Sequence, residues 1–185
     1  MNRAKRILLV AATEPELCGH AGLVCGIGPV EAAAATARAL AAEPPDAVLH
    51  VGVAGGRGMP AGTLVLGTEA VYCDLRAEIP VVSSAQPDAV LLAVLRAELA
   101  DARALPIGTS AAVDGLCGSE PLSIEVEAME GFGVLRACAL ARVPAVEVRA
   151  VSNEIGEPDR ARWEIPMALE ALRAALPRLL SAAAK

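Results

Sequence analysis

Residues 45–58 read PDAVLHVGVAGGRG, and the fold turns on how this stretch is parsed. The apolar run 47–51 has the length of a strand and shows no alternation of polar and apolar positions. A strand covered on both faces looks like this, because neither side of it meets water. The glycine-rich stretch 52–60 follows at once and predicts a loop at the strand's carboxyl end. It lacks the Lys-Ser/Thr ending of a Walker loop. Its glycines either permit tight turning or expose backbone amides to an anion or a sugar oxygen.

The same signal recurs along the chain. Runs 6–12, 104–108, 124–128 and 145–151 read as strands, and 63–67 and 69–73 as extended segments broken near Gly67-Thr68. Between them lie helical stretches. Pro29 suits a first helical turn, where its missing donor is no loss, and 30–42 continues as an alanine-rich helix stopped by Pro44-Pro45. Helices are also expected over 87–99, 130–141 and 160–180, the last bent or restarted near Pro166 and again near Pro177. Apolar strands alternating with helices predict an α/β fold, a three-layer α/β/α arrangement around a mostly parallel mixed sheet. No repeat or linker divides the chain, so residues 1–185 are read as one domain.

Composition narrows the possibilities. Hydrophobic residues make up 55% of the 185 positions but aromatics only 2%, so Tyr72, Phe132 and Trp163 leave the core to Ala, Val, Leu and Ile. The formal charge is −6 with no basic tract, which argues against a nucleic-acid surface. Mean hydropathy is high at +0.49, yet no apolar run approaches the ~20 residues of a membrane span. The basic start and the run 7–12 could mimic a leader, but Glu14 and Glu16 end the run early and favour a buried strand. Cys18, Cys25, Cys73, Cys117 and Cys138 are odd in number, scattered and without a CxxC pair. Reduced thiols in a cytoplasmic protein are expected, and with only His20 and His50 beside them, neither metal nor cofactor.

Ligands of such folds bind beyond the carboxyl ends of the strands. Four stretches collect there: Thr13-Glu14-Pro15-Glu16, the glycine loop, Met129-Glu130-Gly131 and Arg149 to Glu154. Arg149 interrupts an apolar strand, and a buried guanidinium needs a carboxylate. Glu16 or Glu130 would supply it and create one polar centre. Glu147, two residues earlier on the same sheet face, is the rival, and a structural ion pair is the plain alternative. Glu16 read alone is equally a helix-start carboxylate. Gly26-Ile27-Gly28 lacks the third glycine of a dinucleotide fingerprint.

Taken together, GIGPVEAAAAT, PDAVLHVGVAGG, MEGFGVLRACAL and VPAVEVRAVSNEIG resemble, in order, the motifs of the purine nucleoside phosphorylase and nucleosidase superfamily. The branch is that of the methylthioadenosine/adenosylhomocysteine nucleosidases and futalosine hydrolases. The resemblance runs from about Lys5 to the final helix. MEG followed by RAVSN, and the DRARW continuation, look most like futalosine hydrolase, an enzyme of menaquinone biosynthesis. It implies hydrolysis of the N-glycosidic bond of a purine nucleoside, without cofactor, by a homo-oligomer. By position, Glu16 matches the glutamate that activates water, Glu130 the one that grips the ribose hydroxyls, and Met129 the methionine under the sugar. Arg149 matches the arginine that holds the water and the acidic residues, and Ser152 with Asn153 the pair beside purine N7. Val53, Ala54, Gly55 and Gly56 match the backbone loop near the water or phosphate.

Such hydrolysis builds positive charge on the ribose while the purine leaves with the electron pair, so carboxylates near the sugar and a donor near N7 are the residue types it needs. Adenine-specific relatives carry an aspartate where this chain has Asn153. An amide cannot be a general acid, but it can hydrogen-bond N7 and a 6-oxo group, which implies a 6-oxopurine such as hypoxanthine. The segment 17–25 is shorter than the family's, which usually carries a hairpin there. The family's purine-stacking aromatic has no clear counterpart: Phe132, as a substrate contact or a core ring, and Trp163 are the large candidates, with Val113 or Leu116 as pocket residues. Arg57, Arg76, Arg160 and Arg162 are candidates to meet an acidic group beyond the ribose. A phosphorylase using Arg57, an adenine nucleosidase and a non-catalytic nucleoside-binding protein are the competing readings.

Overall fold

The computed structural model describes residues 5–75, 77–112, 115, 117, 122 and 124–185. Its frame is an 8-stranded sheet. β1 (Ile7–Ala11) runs parallel to both β2 (Leu23–Val24) and β3 (Ala47–Gly56). β8 (Ala145–Asn153) pairs in parallel with β3 and antiparallel with β4 (Leu64–Tyr72). β4 pairs in parallel with β6 (Arg103–Thr109) and antiparallel with the short β5 (Ser84–Ala85). β7 (Val126–Ala128) is parallel to β6 and antiparallel to the end of β3. The sheet is mixed and mostly parallel, as the apolar runs imply. It also closes on itself through β3, β8, β4, β6 and β7, which local periodicity does not encode.

α1 (Pro29–Ala42) packs on α3 (Gly131–Ala141) over one face, and α2 (Ala89–Glu98) on α4 (Ile165–Ala183) over the other. Successive strand residues therefore enter opposite layers. Leu9, Leu49 and Val148 join Leu95, Leu172, Leu176 and Leu179 in one core. Val10 and Val48 join Leu40, Val134 and Leu135 in the other. With so few aromatics, both layers are filled by aliphatic side chains, and double coverage is why the strands read as unbroken apolar runs.

Several expectations need correction. The stretch 52–60 is not a loop throughout: β3 continues to Gly56, because β8 and β7 pair with the backbone of 52–56. The expected break near Gly67 is only a register shift within β4. The final helix does not run from 160. A 3-10 turn at Arg160–Arg162 precedes α4, which starts with Pro166 in its first turn and carries Pro177 inside it. The short segment 17–25 still contributes β2. Cys73 and Cys117 are joined as a disulfide, so reduced thiols are confined to Cys18, Cys25 and Cys138. The pair lies 44 residues apart and is brought together by the β4–β6 pairing, since Cys73 hangs on the end of β6 through its amide to the Thr109 carbonyl. Among the described residues no helix is long and apolar enough to cross a membrane.

Candidate active site

A cavity of about 290 Å3 opens where β1, β3, β7 and β8 end. The sheet delivers to its wall Glu16 from after β1, Val53, Ala54 and Gly55 from β3, Met129 and Glu130 from after β7, and Ser152 and Asn153 from the end of β8. These segments are far apart in the chain, and their meeting is a consequence of strand order.

Glu16 is a carboxylate of a short helical turn, and it also lines the cavity. It lies in a 3-10 turn, Glu14–Leu17, entered through Thr13. Its Oε2 accepts from the Thr13 amide at 2.9 Å and the Thr13 hydroxyl at 2.7 Å. Its Oε1 accepts from the Val53 amide at 3.0 Å. The carboxylate is thus buried and aimed, with its outer edge on the cavity. Glu130 caps α3 and is held separately. Its Oε1 accepts from the Gly28 amide at 3.1 Å, and its Oε2 from Arg149 Nη2 at 3.3 Å. The Gly26-Ile27-Gly28 turn is therefore an anchor for this glutamate, with Gly28 at φ 95°.

Arg149 lies behind the cavity wall, fully buried in β8. Its Nε donates to Glu147 Oε1 at 2.8 Å, so the rival partner is its tightest one. Nη1 reaches the Val53 carbonyl at 3.3 Å, and Nη2 meets Glu130 and also His50 Nε2, at 2.5 Å. Burial opposes the arginine charge, but the carboxylates of Glu147, Glu130 and Glu16 outweigh it and push its pKa up. Burial also pushes the Glu147 carboxyl up, only partly offset by Arg149. The packing leaves no room for side chains at two glycines. A Cβ on Gly52 would lie 2.3 Å from Arg149 Nη1 and 2.7 Å from Glu16 Oε1, and one on Gly131 would lie 2.2 Å from Glu147 Oε2.

At the other end of the cavity, Asn153 Nδ2 donates to the Glu154 carbonyl at 2.9 Å. A carbonyl only accepts, so the amide nitrogen must face it. The oxygen Oδ1 then receives the Ser152 hydroxyl at 2.8 Å. Asn153 keeps a second N–H to offer a ligand. Trp163 lines the cavity, its Nε1 donating to the Glu157 carbonyl at 3.0 Å, and the Arg160 guanidinium sits 5.5 Å over its ring.

Not every expected residue reaches the cavity. Phe132 stacks on Tyr72 with ring centroids 5.1 Å apart and does not line it. Gly56 packs against Val151 instead. Arg162 pairs with Glu157 at 2.9 Å away from the wall, and Arg57 is likewise no part of it. Val113, Leu116 and Arg76 lie outside the described residues. Residues without an expected role of their own also contribute. Thr13 fixes Glu16, and Glu127 lines the cavity while accepting from the Gly115 and Cys117 amides. His50 is wholly buried against Arg149. Glu127 carried a usable signal, a charge inside a buried strand, the same one that marked Arg149. Among the described residues no group of three or more His, Cys, Asp or Glu side chains is arranged to hold a metal ion.

Comparison with known proteins matches residues 21–185 to the phosphorylase superfamily. The futalosine hydrolase of Streptomyces coelicolor is 39% identical over 181 residues, covering 85% of this chain and 77% of that protein. The futalosine hydrolase of Thermus thermophilus is 32% identical over 185 residues, covering 88% and 82%. Among solved structures, a methylthioadenosine/adenosylhomocysteine nucleosidase from Colwellia psychrerythraea with adenine bound superposes with a TM-score of 0.86 at 20% identity, covering 97% of this chain and 96% of that one. At that identity the likeness speaks for the fold.

Proposed function

Because the chain belongs to the phosphorylase superfamily, in its futalosine hydrolase branch, we propose that it hydrolyses the N-glycosidic bond of futalosine, releasing hypoxanthine and dehypoxanthine futalosine in menaquinone biosynthesis. It is an enzyme of the nucleosidase kind, acting on the glycosidic bond of a nucleoside. Glu16 takes a proton from the attacking water as the water oxygen bonds to the anomeric carbon. The carbon–nitrogen bond breaks and its electron pair leaves with the purine. Glu130 holds the ribose hydroxyls and favours the cationic sugar, with Met129 beneath it. The free N–H of Asn153 bonds the leaving purine, and a 6-oxopurine spreads the arriving charge over N7 and O6. The proton held by Glu16 then passes through solvent to the base.

The observation that carries hydrolysis over phosphorolysis is the sign of the charge at the cavity. Glu16, Glu127 and Glu130 line it, Arg160 is the only arginine on its wall among the described residues, and Arg149 is engaged by carboxylates behind it. A phosphate dianion would meet repulsion where water does not. The test is release of free base from futalosine, inosine and methylthioadenosine, with and without phosphate. Phosphate-independent hypoxanthine from futalosine supports the proposal. Ribose 1-phosphate formation, or binding without turnover, overturns it. In the same assay Asn153→Asp is expected to move the adenine-to-hypoxanthine preference toward adenine by at least about tenfold, the worth of one charge-assisted hydrogen bond gained or opposed. An unchanged ratio would remove Asn153 from base selection.

Of the arginines considered for an acidic group beyond the ribose, Arg160 is the one at the cavity among the described residues. It makes no ion pair among the described residues and is steadied by Trp163. We assign it to the carboxylate of the futalosine side chain. Arg160→Ala is expected to raise KM for futalosine roughly 3- to 30-fold, the lower end reflecting its exposure, while leaving KM for uncharged inosine within about twofold. Equal changes for both substrates would refute this assignment.

A further inference from the structure

We infer that His50 and Glu147, neither of which lines the cavity, are positioning residues that clamp Arg149 so that its Nη edge faces Glu130 and the Val53–Glu16 junction. The inference rests on the hydrolase reading, since it concerns how that site's arginine is held.

An arginine presents five donors in a rigid plane, and in a buried site a donor without an acceptor is costly. Among the described residues four of the five are met: Glu147 takes Nε, the Val53 carbonyl takes one hydrogen of Nη1, and Nη2 is divided between Glu130 and His50. The same Val53 that accepts from Arg149 donates its amide to Glu16, so a shift of the guanidinium would move both carboxylates' supports.

His50 accepts in a particular form. Its Nδ1 lies 3.1 Å from the Val10 carbonyl, which only accepts, so Nδ1 carries the proton and Nε2 offers a lone pair to Arg149. Burial, then the Arg149 charge, hold its pKa well below the ordinary histidine value, against the pull of the Val10 carbonyl. A neutral acceptor suits this place. Three glutamates already surround one arginine, and a fourth carboxylate would add charge without a counterion. An apolar side chain would leave a buried donor unsatisfied.

Glu147 is fixed from the opposite side. Its carboxylate sits against the start of α3, where Gly131 gives it room, directly after Glu130. One backbone turn thus carries both the glutamate on the cavity and the space for the arginine's anchor. Oε2 of Glu147 has no hydrogen-bond partner among the described residues, so the side chain is committed to Arg149 through Oε1.

The test compares His50→Gln, whose amide oxygen reaches about where Nε2 lies, with His50→Leu, which fills the space but accepts nothing. His50→Leu is expected to lose about 10- to 100-fold in kcat with KM changed less than about threefold, and His50→Gln to recover most of the loss at a similar melting temperature. Equal kinetics for the two variants overturn the inference, since packing alone would then suffice. Nitrogen-15 spectra of the histidine rings in the wild-type protein judge it independently of turnover and of how the variants fold. An Nδ1–H tautomer with an unprotonated, hydrogen-bonded Nε2 is expected for the buried ring at neutral pH, and an imidazolium or an Nε2–H tautomer there overturns the inference. A wild-type protein that releases no base defeats the functional reading, while the ring spectra still decide whether His50 serves as the acceptor for Arg149.

Discussion

Glu16→Gln is expected to lower kcat for base release by about 10²- to 10⁴-fold, the contribution of a positioned general base, with substrate still bound. The geometry makes the effect more than loss of a charge. All of the donors fixed on this carboxylate are oriented hydrogens: the Thr13 amide and hydroxyl at Oε2, the Val53 amide at Oε1. A glutamine must turn its own NH2 toward one of these sides, so it loses the base and sets donor against donor. Binding can be followed separately through the fluorescence of Trp163, the sole tryptophan, which lines the cavity. Retention of a tenth or more of the wild-type kcat would exclude Glu16 as the residue that activates water. Loss of binding along with turnover would make it a structural support of the Thr13–Val53 corner.

Arg149→Met should be the most destabilising single change at the site, by about 3–5 kcal/mol, because it strands the buried carboxylate of Glu147 and removes the cation between Glu16 and Glu130. The dependence on pH follows from Glu147. Its folded pKa is raised by burial even with Arg149 present, and rises further without it. A carboxyl with a raised folded pKa is best accommodated protonated, so its full contribution to stability is present below its unfolded pKa of about 4.3 and is lost as pH climbs through the folded value. The deficit of Arg149→Met relative to wild type should therefore be larger at pH 8 than at pH 5. Pairing the change with Glu147→Leu should recover most of the stability, since a buried ion pair replaced whole by apolar side chains is often close to neutral. Activity should not return with it. Denaturant titrations of the two variants at both pH values read this out. A single variant within about 1 kcal/mol of wild type, or a double variant no better than the single, would show that the Arg149–Glu147 pair is not a desolvated one.

These two expectations also divide what local sequence conveys from what it cannot. Charges placed inside apolar runs or directly after them mark Glu16, Glu130, Arg149 and Glu147, because a charge in a buried strand is costly and needs a reason. The unbroken apolar runs mark a doubly covered, mostly parallel sheet, because each strand loses water on both faces. Such signals are carried by neighbours a few residues apart, so they are readable from the chain. Phe132 and Gly56 neighbour Glu130 and Gly55 in the chain, yet the Phe132 ring stacks on Tyr72 and the Gly56 backbone lies against Val151, so neither reaches the cavity.

Local sequence conveys the apolar strands, the charges placed in and after them, and the motifs of the family to which the chain belongs. Tertiary packing sets the rest: Arg149 is shared between Glu147 and Glu130, His50 lies against its Nη2, and Gly28, Gly52 and Gly131 provide the amide and the space these groups require. It alone closed the sheet through β7 and joined Cys73 to Cys117. The physical reason is common to all of these. Hydrogen bonds and close packing between segments tens of residues apart depend on strand register and on which side chains occupy the same small volume, and neither quantity is a property of any one stretch of chain.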